Sequence, residues 1–347
     1  IANNTPTAFV LNTATNKYSN PYASSASTAY GPIDCFTCHK NLHTTYALTD
    51  FTPLTTVAPV PMTMWGGSKT IDLKADGGIS NLCVRCHQPR PFTNSNTDAN
   101  VLDYAALVNA PATVFYDATM ANSAIKLKPG YRTHTHYGTA GAVFAGMGGV
   151  EFKGSMGYAN MVHTAKASCS DCHMANMTGA AGGHTFTAKG NFNGCNTTDC
   201  HGTGTVTASS AKYWTNPRAE IKTLLETLAA KLKINGVEIL NRNPDTEANL
   251  WAGQTSGKWD GYLNIYDPVN NPGGLTNNAG TFQNPSPSSS WTQAQKDQNA
   301  ALPKITLTNA QMGAIINFQM ALRDFSMGIH NFDYTKALLT NSIAVLN

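Results

Sequence analysis

Charge is scarce in this chain: Asp, Glu, Lys and Arg make up 12% of 347 residues, and no run of Lys and Arg could track a nucleic-acid backbone. Long apolar runs are missing too, and nothing approaches the roughly 18 consecutive apolar residues of a membrane-crossing helix. Regular periodicity is absent from most of the first two thirds, where Asn, Thr, Ala and Gly dominate. Such a composition supplies loop formers and few amphipathic stretches, so the backbone is expected to be mostly irregular coil with short helices and little strand. Spare cysteine is also missing. All eight cysteines fall into four pairs, each followed directly by histidine, and none is left over for a disulfide framework.

Those pairs carry the chemistry. Three are Cys35-Phe-Thr-Cys38-His39, Cys83-Val-Arg-Cys86-His87 and Cys169-Ser-Asp-Cys172-His173, and the fourth is the stretched Cys195-Asn-Thr-Thr-Asp-Cys200-His201. A lone Cys-x-x-Cys also suits zinc or a thioredoxin-like redox pair. Histidine after every second cysteine points instead to covalent haem: two thiols add across the vinyl groups, and His39, His87, His173 and His201 are thereby set against iron as proximal ligands. Cys195 and Cys200 enclose four residues instead of two. A loop of that length can bulge outward and leave both sulfurs on the vinyls, the alternative being a Cys195 outside any haem.

Four covalent haem c groups change the other expectations. The chain is expected to wrap as coil around the porphyrins, which would themselves form much of the core. The formal charge of +3 counts protein groups alone; about eight propionates would bring the loaded protein close to neutral or mildly acidic. Covalent haem is attached outside the cytoplasm, and the chain starts Ile1-Ala-Asn-Asn with no basic-then-apolar leader. The expectation is a mature protein, cleaved from its signal peptide, in the extracellular space or at the cell surface, with the periplasm as alternative.

The haem motifs occupy residues 35–201 within an expected tetrahaem-binding region, residues 1–206, with the widest interval between His87 and His173 and the narrowest between His173 and His201, so haems three and four should form a tight pair. The wide interval carries little helix signal, and Gly146-Met-Gly-Gly-Val150 within it reads as turns and close backbone approaches. Residues 207–347 form a haem-free region. Asn216 as cap and Pro217 at the first position predict a helix with Ile221, Leu224, Leu225, Leu228 and Leu232 on one stripe, ending near Gly236. Residues 268–303, rich in Pro, Ser, Asn and Gly, read as a long surface loop. A second helix is predicted from Asn309 to about Arg323 with Met312, Ile315, Ile316 and Met320 on one side, and a third from near Asp333 with Leu338, Leu339, Ile343 and Leu346.

Six histidines remain for the distal positions. His/His ligation is expected at all four irons rather than His/Met, because methionine is more often core filler. His163 and His184 are tethered close to haem-bearing turns. His134 and His136, two residues apart, share a face in an extended segment, and either or both could reach iron, His136 first. His43 follows His39 by one helical turn and leans the same way, so it cannot easily reach the opposite face of haem one. It could ligate another haem, in the same chain or a neighbouring subunit, or contact a propionate. His330 lies outside the haem region, where packing or propionate bonding is the expected role and iron ligation the alternative.

The stretch Met161-Val-His-Thr-Ala-Lys-Ala-Ser-Cys-Ser-Asp-Cys-His-Met174, followed by Gly182-Gly-His-Thr-Phe186, resembles the core of multihaem cytochromes related to nitrite reductase. In that family the histidines before and after the Cys-x-x-Cys-His-Met site are distal ligands, which implies that role for His163 and His184. Haem number and the histidine soon after the first motif resemble more specifically the extracellular tetrahaem cytochromes that polymerise into filaments, the OmcE type of metal-reducing Geobacter. In a related hexahaem type the corresponding histidine ligates a haem of the next subunit, which implies an intersubunit role for His43. The likeness covers residues 35–201 well and Asp324-Phe-Ser-Met-Gly-Ile-His-Asn331 loosely.

The expected function is therefore an electron conduit and not an enzyme. The subunit would polymerise with itself, take electrons from periplasmic or outer-membrane cytochromes and deliver them to extracellular acceptors such as metal oxides. A soluble periplasmic shuttle is the first alternative. A multihaem oxidoreductase is the second, disfavoured because no motif replaces its proximal histidine and spare histidines are plentiful.

Overall fold

Three helices near the C-terminus supply the frame on which the described part of residues 57–206 is packed. The computed structural model describes residues 10–12, 17–19, 38–39, 54–89, 103–116, 133, 135, 138–234, 236–242, 259–263, 293–294 and 305–347. The chain divides into two units, Ile1–Thr56 and Val57–Asn347. In the first, β1 (Val10–Asn12) and β2 (Lys17–Ser19) pair antiparallel with Leu11 opposite Tyr18. The Leu54 N–H donates to the Cys38 carbonyl at 2.9 Å, closing a loop on the first haem motif. Cys35 and His43 lie outside the described residues, as does nearly all of the predicted loop 268–303.

The second unit carries the strands β3 (Val60–Pro61), β4 (Thr70–Ile71), β5 (Val114–Tyr116), β6 (Lys233–Ile234), β7 (Val237–Glu238), β8 (Leu240–Arg242), β9 (Trp259–Leu263) and β10 (Leu307–Thr308). They join as two-stranded antiparallel pairs, β3 with β4, β5 with β10, β6 with β7 and β8 with β9. The helices are α1 (Asn81–Val84), α2 (Tyr104–Asn109), α3 (Ala140–Phe144), α4 (Val162–Lys166), α5 (Cys169–His173), α6 (Asn216–Lys231), α7 (Asn309–Arg323) and α8 (Phe332–Val345). No helix among the described residues is long and apolar enough to cross a membrane.

Helix α6 starts one residue earlier than its expected cap allows. Asn216 is already helical, Thr215 takes the cap position without a side-chain bond, and a π-turn over Ala211–Thr215 feeds directly into the helix. The helix ends at Lys231, short of Gly236, because the chain turns there into the β6–β7 hairpin. Its predicted stripe packs inward: Ile221, Leu225, Leu228 and Leu232 are all buried, each contributing about 1.5–3 kcal/mol of transfer free energy. Helix α7 spans the predicted residues but is buried on nearly every side, not along one stripe. A reciprocal capping box between Thr308 and Gln311 starts it. Helix α8 starts at Phe332, one residue before the predicted Asp333, with Asn331 as cap accepting from the Tyr334 N–H.

Around α7 the described residues form a protein core of their own. Met62, Trp65, Phe115, Val150, Phe152, Leu225, Trp259, Ile315, Phe318 and Leu339 belong to one continuous apolar cluster that draws on both sides of residue 206. Single apolar residues scattered through coil join this cluster, a contribution that periodicity does not register. The interval between His87 and His173 also holds α2, α3 and α4, three short helices where little helix was expected. Close approach does occur at its glycines: a Cβ on Gly149 would press into the Leu338 side chain.

Buried amides on α7 fasten the coil to the frame. Asn317 accepts from the Val150 N–H at 2.7 Å and donates to the Val150 carbonyl at 2.8 Å. Gln319 accepts from the Thr135 N–H at 3.0 Å and donates to the Thr133 and Gly261 carbonyls at 3.0 and 2.8 Å. Side chains thus satisfy backbone groups that would elsewhere be satisfied in a sheet.

Candidate haem-binding sites

The second attachment turn is built on α1. Asp76 accepts from the Ser80 N–H at 2.9 Å and from its hydroxyl at 2.6 Å, and the buried Asn81 side chain bridges the Leu73 N–H and the Val57 carbonyl. Within the motif the His87 N–H donates to the Cys83 carbonyl at 2.9 Å, so one tight turn carries Cys83, Cys86 and His87. The third turn is α5 itself. Ser168 and Asp171 form a reciprocal capping box around Cys169, with Asp171 N–H to Ser168 Oγ at 3.2 Å and Ser168 N–H to Asp171 Oδ2 at 2.7 Å.

In the stretched fourth motif the His201 N–H donates to the Cys195 carbonyl at 3.2 Å, the same closure from histidine to first cysteine seen in the second motif. The two extra residues are therefore looped out of the turn. Asn196 pins that loop, accepting from the Val206 N–H at 2.7 Å and donating to its carbonyl at 2.9 Å.

These turns lie edge to edge. The Cys169 N–H donates to Ser80 Oγ at 3.0 Å. Its thiol is hydrogen-bonded to Cys83, which with Ser80 and the His330 charge lowers the Cys169 pKa against the opposing effect of burial. On its other side α5 meets the fourth motif: burial pushes the Cys172 thiol up to about 12, helped by Cys195, Asp171 and Cys200. Gly194 makes that approach possible, since a Cβ there would collide with the Asp171 carbonyl oxygen and lie 2.9 Å from Cys172 Cα. Among the described cysteines, Cys86, Cys169, Cys172, Cys195 and Cys200 form no disulfide.

Two histidine pairs face each other across similar gaps. His163 and His201 have ring centroids 6.0 Å apart with planes at 81°. His173 and His330 have centroids 6.1 Å apart with planes at 29°. Two metal–imidazole bonds of about 2 Å and two nitrogen-to-ring-centre distances of about 1 Å span about 6 Å, the separation of axial ligands across one iron. The Nδ1 atoms of three of these rings are already engaged: His163 with the Ile329 carbonyl at 3.1 Å, His173 with the Phe186 carbonyl at 2.9 Å and His330 with Asp324 Oδ1 at 2.6 Å. That leaves Nε2 of each as the nitrogen that would coordinate a metal, as in the usual outer-shell arrangement of ligating histidines. Burial, then His163 and Lys212, lowers the His201 pKa. His87 keeps solvent access but is lowered by the protein packed around it and by His173 and His330.

The surroundings also suit a flat apolar ligand. Val162 beside His163, Met177 four residues after His173, Phe186 whose carbonyl meets His173 Nδ1, and Phe325 in the turn that carries His330 are large apolar side chains left exposed. Phe186 and Phe325 hold positive φ, 54° and 58°, which bulky residues rarely adopt. Cys83, Cys86 and His87, Cys169, Cys172 and His173, and Cys195, Cys200 and His201 would hold three haems; Cys38 and His39 belong to the first. No group of three or more His, Cys, Asp or Glu side chains able to hold a metal ion occurs among the described residues. A haem iron takes only two ligands from protein.

Of the other sequence-predicted ligands, only His184 lies among the described residues. His184 is exposed in the turn Gly183–Thr185, its ring 6.4 Å from that of Phe186. His134 and His136 lie outside the described residues, although Thr133 and Thr135 beside them are fixed to α7. Sequence reasoning missed Asp324, which accepts from His330 Nδ1. It also missed the cap formed by Ser168 and Asp171, whose signature sits openly around Cys169. The chain matches no protein-family model, no curated protein and no solved structure in comparisons with each.

Proposed function

We propose that this chain is a tetrahaem c-type cytochrome of the extracellular space that polymerises with itself and conducts electrons along the filament toward extracellular acceptors such as metal oxides. The observation that supports this reading best is the contiguity of the candidate attachment turns, the Cys169 N–H bonded to Ser80 Oγ at 3.0 Å beside the second motif and Gly194 pressed against Asp171 and Cys172 beside the fourth. Bound haem would supply a one-electron iron couple. The protein's part is positional. Thiols would fix the porphyrins on their turns, the second turn being hydrogen-bonded to the third through the Cys169 N–H and Ser80 Oγ and the third packed closely against the fourth at Gly194, and paired imidazoles would saturate the metal, so a change of oxidation state would need little rearrangement. Conduction requires no substrate pocket, and saturated ligation leaves no open coordination position for one. His43 is assigned to the iron of a neighbouring subunit, which would make the filament joint and hold two terminal haems close.

The test is intact mass spectrometry and electron microscopy of the native extracellular fraction, with the His43→Ala chain alongside. The expected results are a chain carrying four covalent haems, long uniform filaments, and loss or marked shortening of those filaments in the variant. A chain without covalent haem would overturn the cytochrome reading. Discrete particles with every iron saturated would replace the filament with a soluble shuttle, and a large high-spin ferric fraction would replace it with an enzyme. Normal filaments from His43→Ala would remove that residue from the joint.

A further inference from the structure

His330 is far from the haem motifs in sequence, yet its ring stands opposite that of a proximal histidine. We propose that His330 is the distal iron ligand at the third haem, across from His173, and that Asp324 is its positioning residue; this rests on the tetrahaem reading above.

The geometry carries the assignment. At 6.1 Å between centroids the two imidazoles are too far apart to bond each other, and the gap fits one metal ion with a nitrogen on each side. Both rings are held by Nδ1, His173 on the Phe186 carbonyl and His330 on the Asp324 carboxylate, so Nε2 is the nitrogen each has available. His163 and His201 repeat the spacing at 6.0 Å. Ordinary ion pairing with Asp324 would explain one bond of His330. It would not explain the matched gap or the engaged Nδ1 of His173.

The turn between α7 and α8 is organised around this ring. Asp324 is buried, its side chain fully so, and accepts from His330 Nδ1 and from the Ser326 hydroxyl. The same hydroxyl accepts the His330 N–H at 3.1 Å, which fixes the backbone under the ring. Phe325 and Met327 take positive φ, 58° and 56°, to complete the turn. A buried carboxylate on the far nitrogen makes the imidazole a stronger electron donor, so this iron should be held toward the ferric state.

Electron paramagnetic resonance of the oxidised protein, with haem counted by mass, decides the matter. Nearly parallel imidazole planes give rhombic low-spin ferric signals and nearly perpendicular planes give the large-g type. The 29° pair and the 81° pair should therefore differ in spectrum. His330→Ala is expected to keep four haems, lose one rhombic low-spin signal, gain one high-spin iron and recover low spin on adding imidazole. His163→Ala should instead remove a large-g signal. Should His330→Ala fail to fold, His330→Met keeps a ligand and is expected to stay low-spin with one haem raised in potential. Asp324→Asn should raise the potential of a single haem with haem count unchanged; if no potential moves, Asp324 has no positioning role. Four haems that all stay low-spin without added ligand in His330→Ala would overturn the assignment, as would loss of the large-g signal in place of the rhombic one. Absence of covalent haem from the unmutated chain would instead sink the tetrahaem reading itself.

Discussion

Gly194→Ala is expected to cost about 3 kcal/mol and to lower occupancy of the fourth haem, because the added methyl meets rigid backbone. The Cβ would collide with the Asp171 carbonyl oxygen and crowd Cys172 Cα, both within the capped helix that carries the third motif. Neither can swing aside as a flexible side chain would. The strain can be released only by moving the Cys195 turn away from Cys172. Intact mass should then show chains with three haems beside chains with four, and denaturant unfolding should show the loss of stability. Gly157→Ala is the matched control, since no atom lies within 4 Å of a Cβ there. Equal behaviour of the two variants would mean that contact at position 194 does not hold the third and fourth turns together.

Asn331→Leu should destabilise the protein by about 3 kcal/mol and disturb two iron sites at once, for a different reason. Its side-chain oxygen accepts from the Met161 N–H at 3.2 Å and from the Tyr334 N–H at 3.3 Å. Its amide donates to the Asn160 side chain at 2.8 Å and to the Phe144 carbonyl and Thr164 hydroxyl, each at 3.3 Å. Asn331 is fully buried, so leucine would take this partner from the Met161 and Tyr334 N–H groups and from the Asn160 side chain, while the Phe144 carbonyl and Thr164 hydroxyl keep only their own 2.6 Å bond. One loss uncaps α8; the others release α4, which carries His163, from the turn that carries His330. The expected spectrum has low-spin signals of both the His163 and His330 sites weakened together. Damage confined to one site would show that the amide does not couple them.

The parts of this protein written locally were readable in the sequence. Helical periodicity located α6, α7 and α8 within a residue or two at their starts, because the apolar stripes are regular and Pro217 marks an entry. The candidate attachment residues are read from motif chemistry alone. What escaped depends on chain segments meeting across long separations. No spacing rule brings residue 330 to residue 173, and the same holds for the amides of Asn317 and Gln319 on the coil at Val150 and Thr135. The Ser168 and Asp171 capping box could have been found from the residues flanking the first cysteine of the third motif. The two extra residues of the fourth motif point to an outward bulge, but the hydrogen bond from His201 to Cys195 that closes the turn beneath them is not written in the spacing.

Ile329 and His330 are consecutive, yet the carbonyl of the first orients the ring opposite His201 and the ring of the second faces His173. A single peptide unit, about 3.8 Å from Cα to Cα, therefore links the two candidate iron positions. Electron tunnelling falls steeply with distance, so thermal jitter between donor and acceptor normally broadens the rate. Segments that wander independently would add their fluctuations. Here the two sites share one stiff link, so they should drift together and keep their separation as the surrounding loops move.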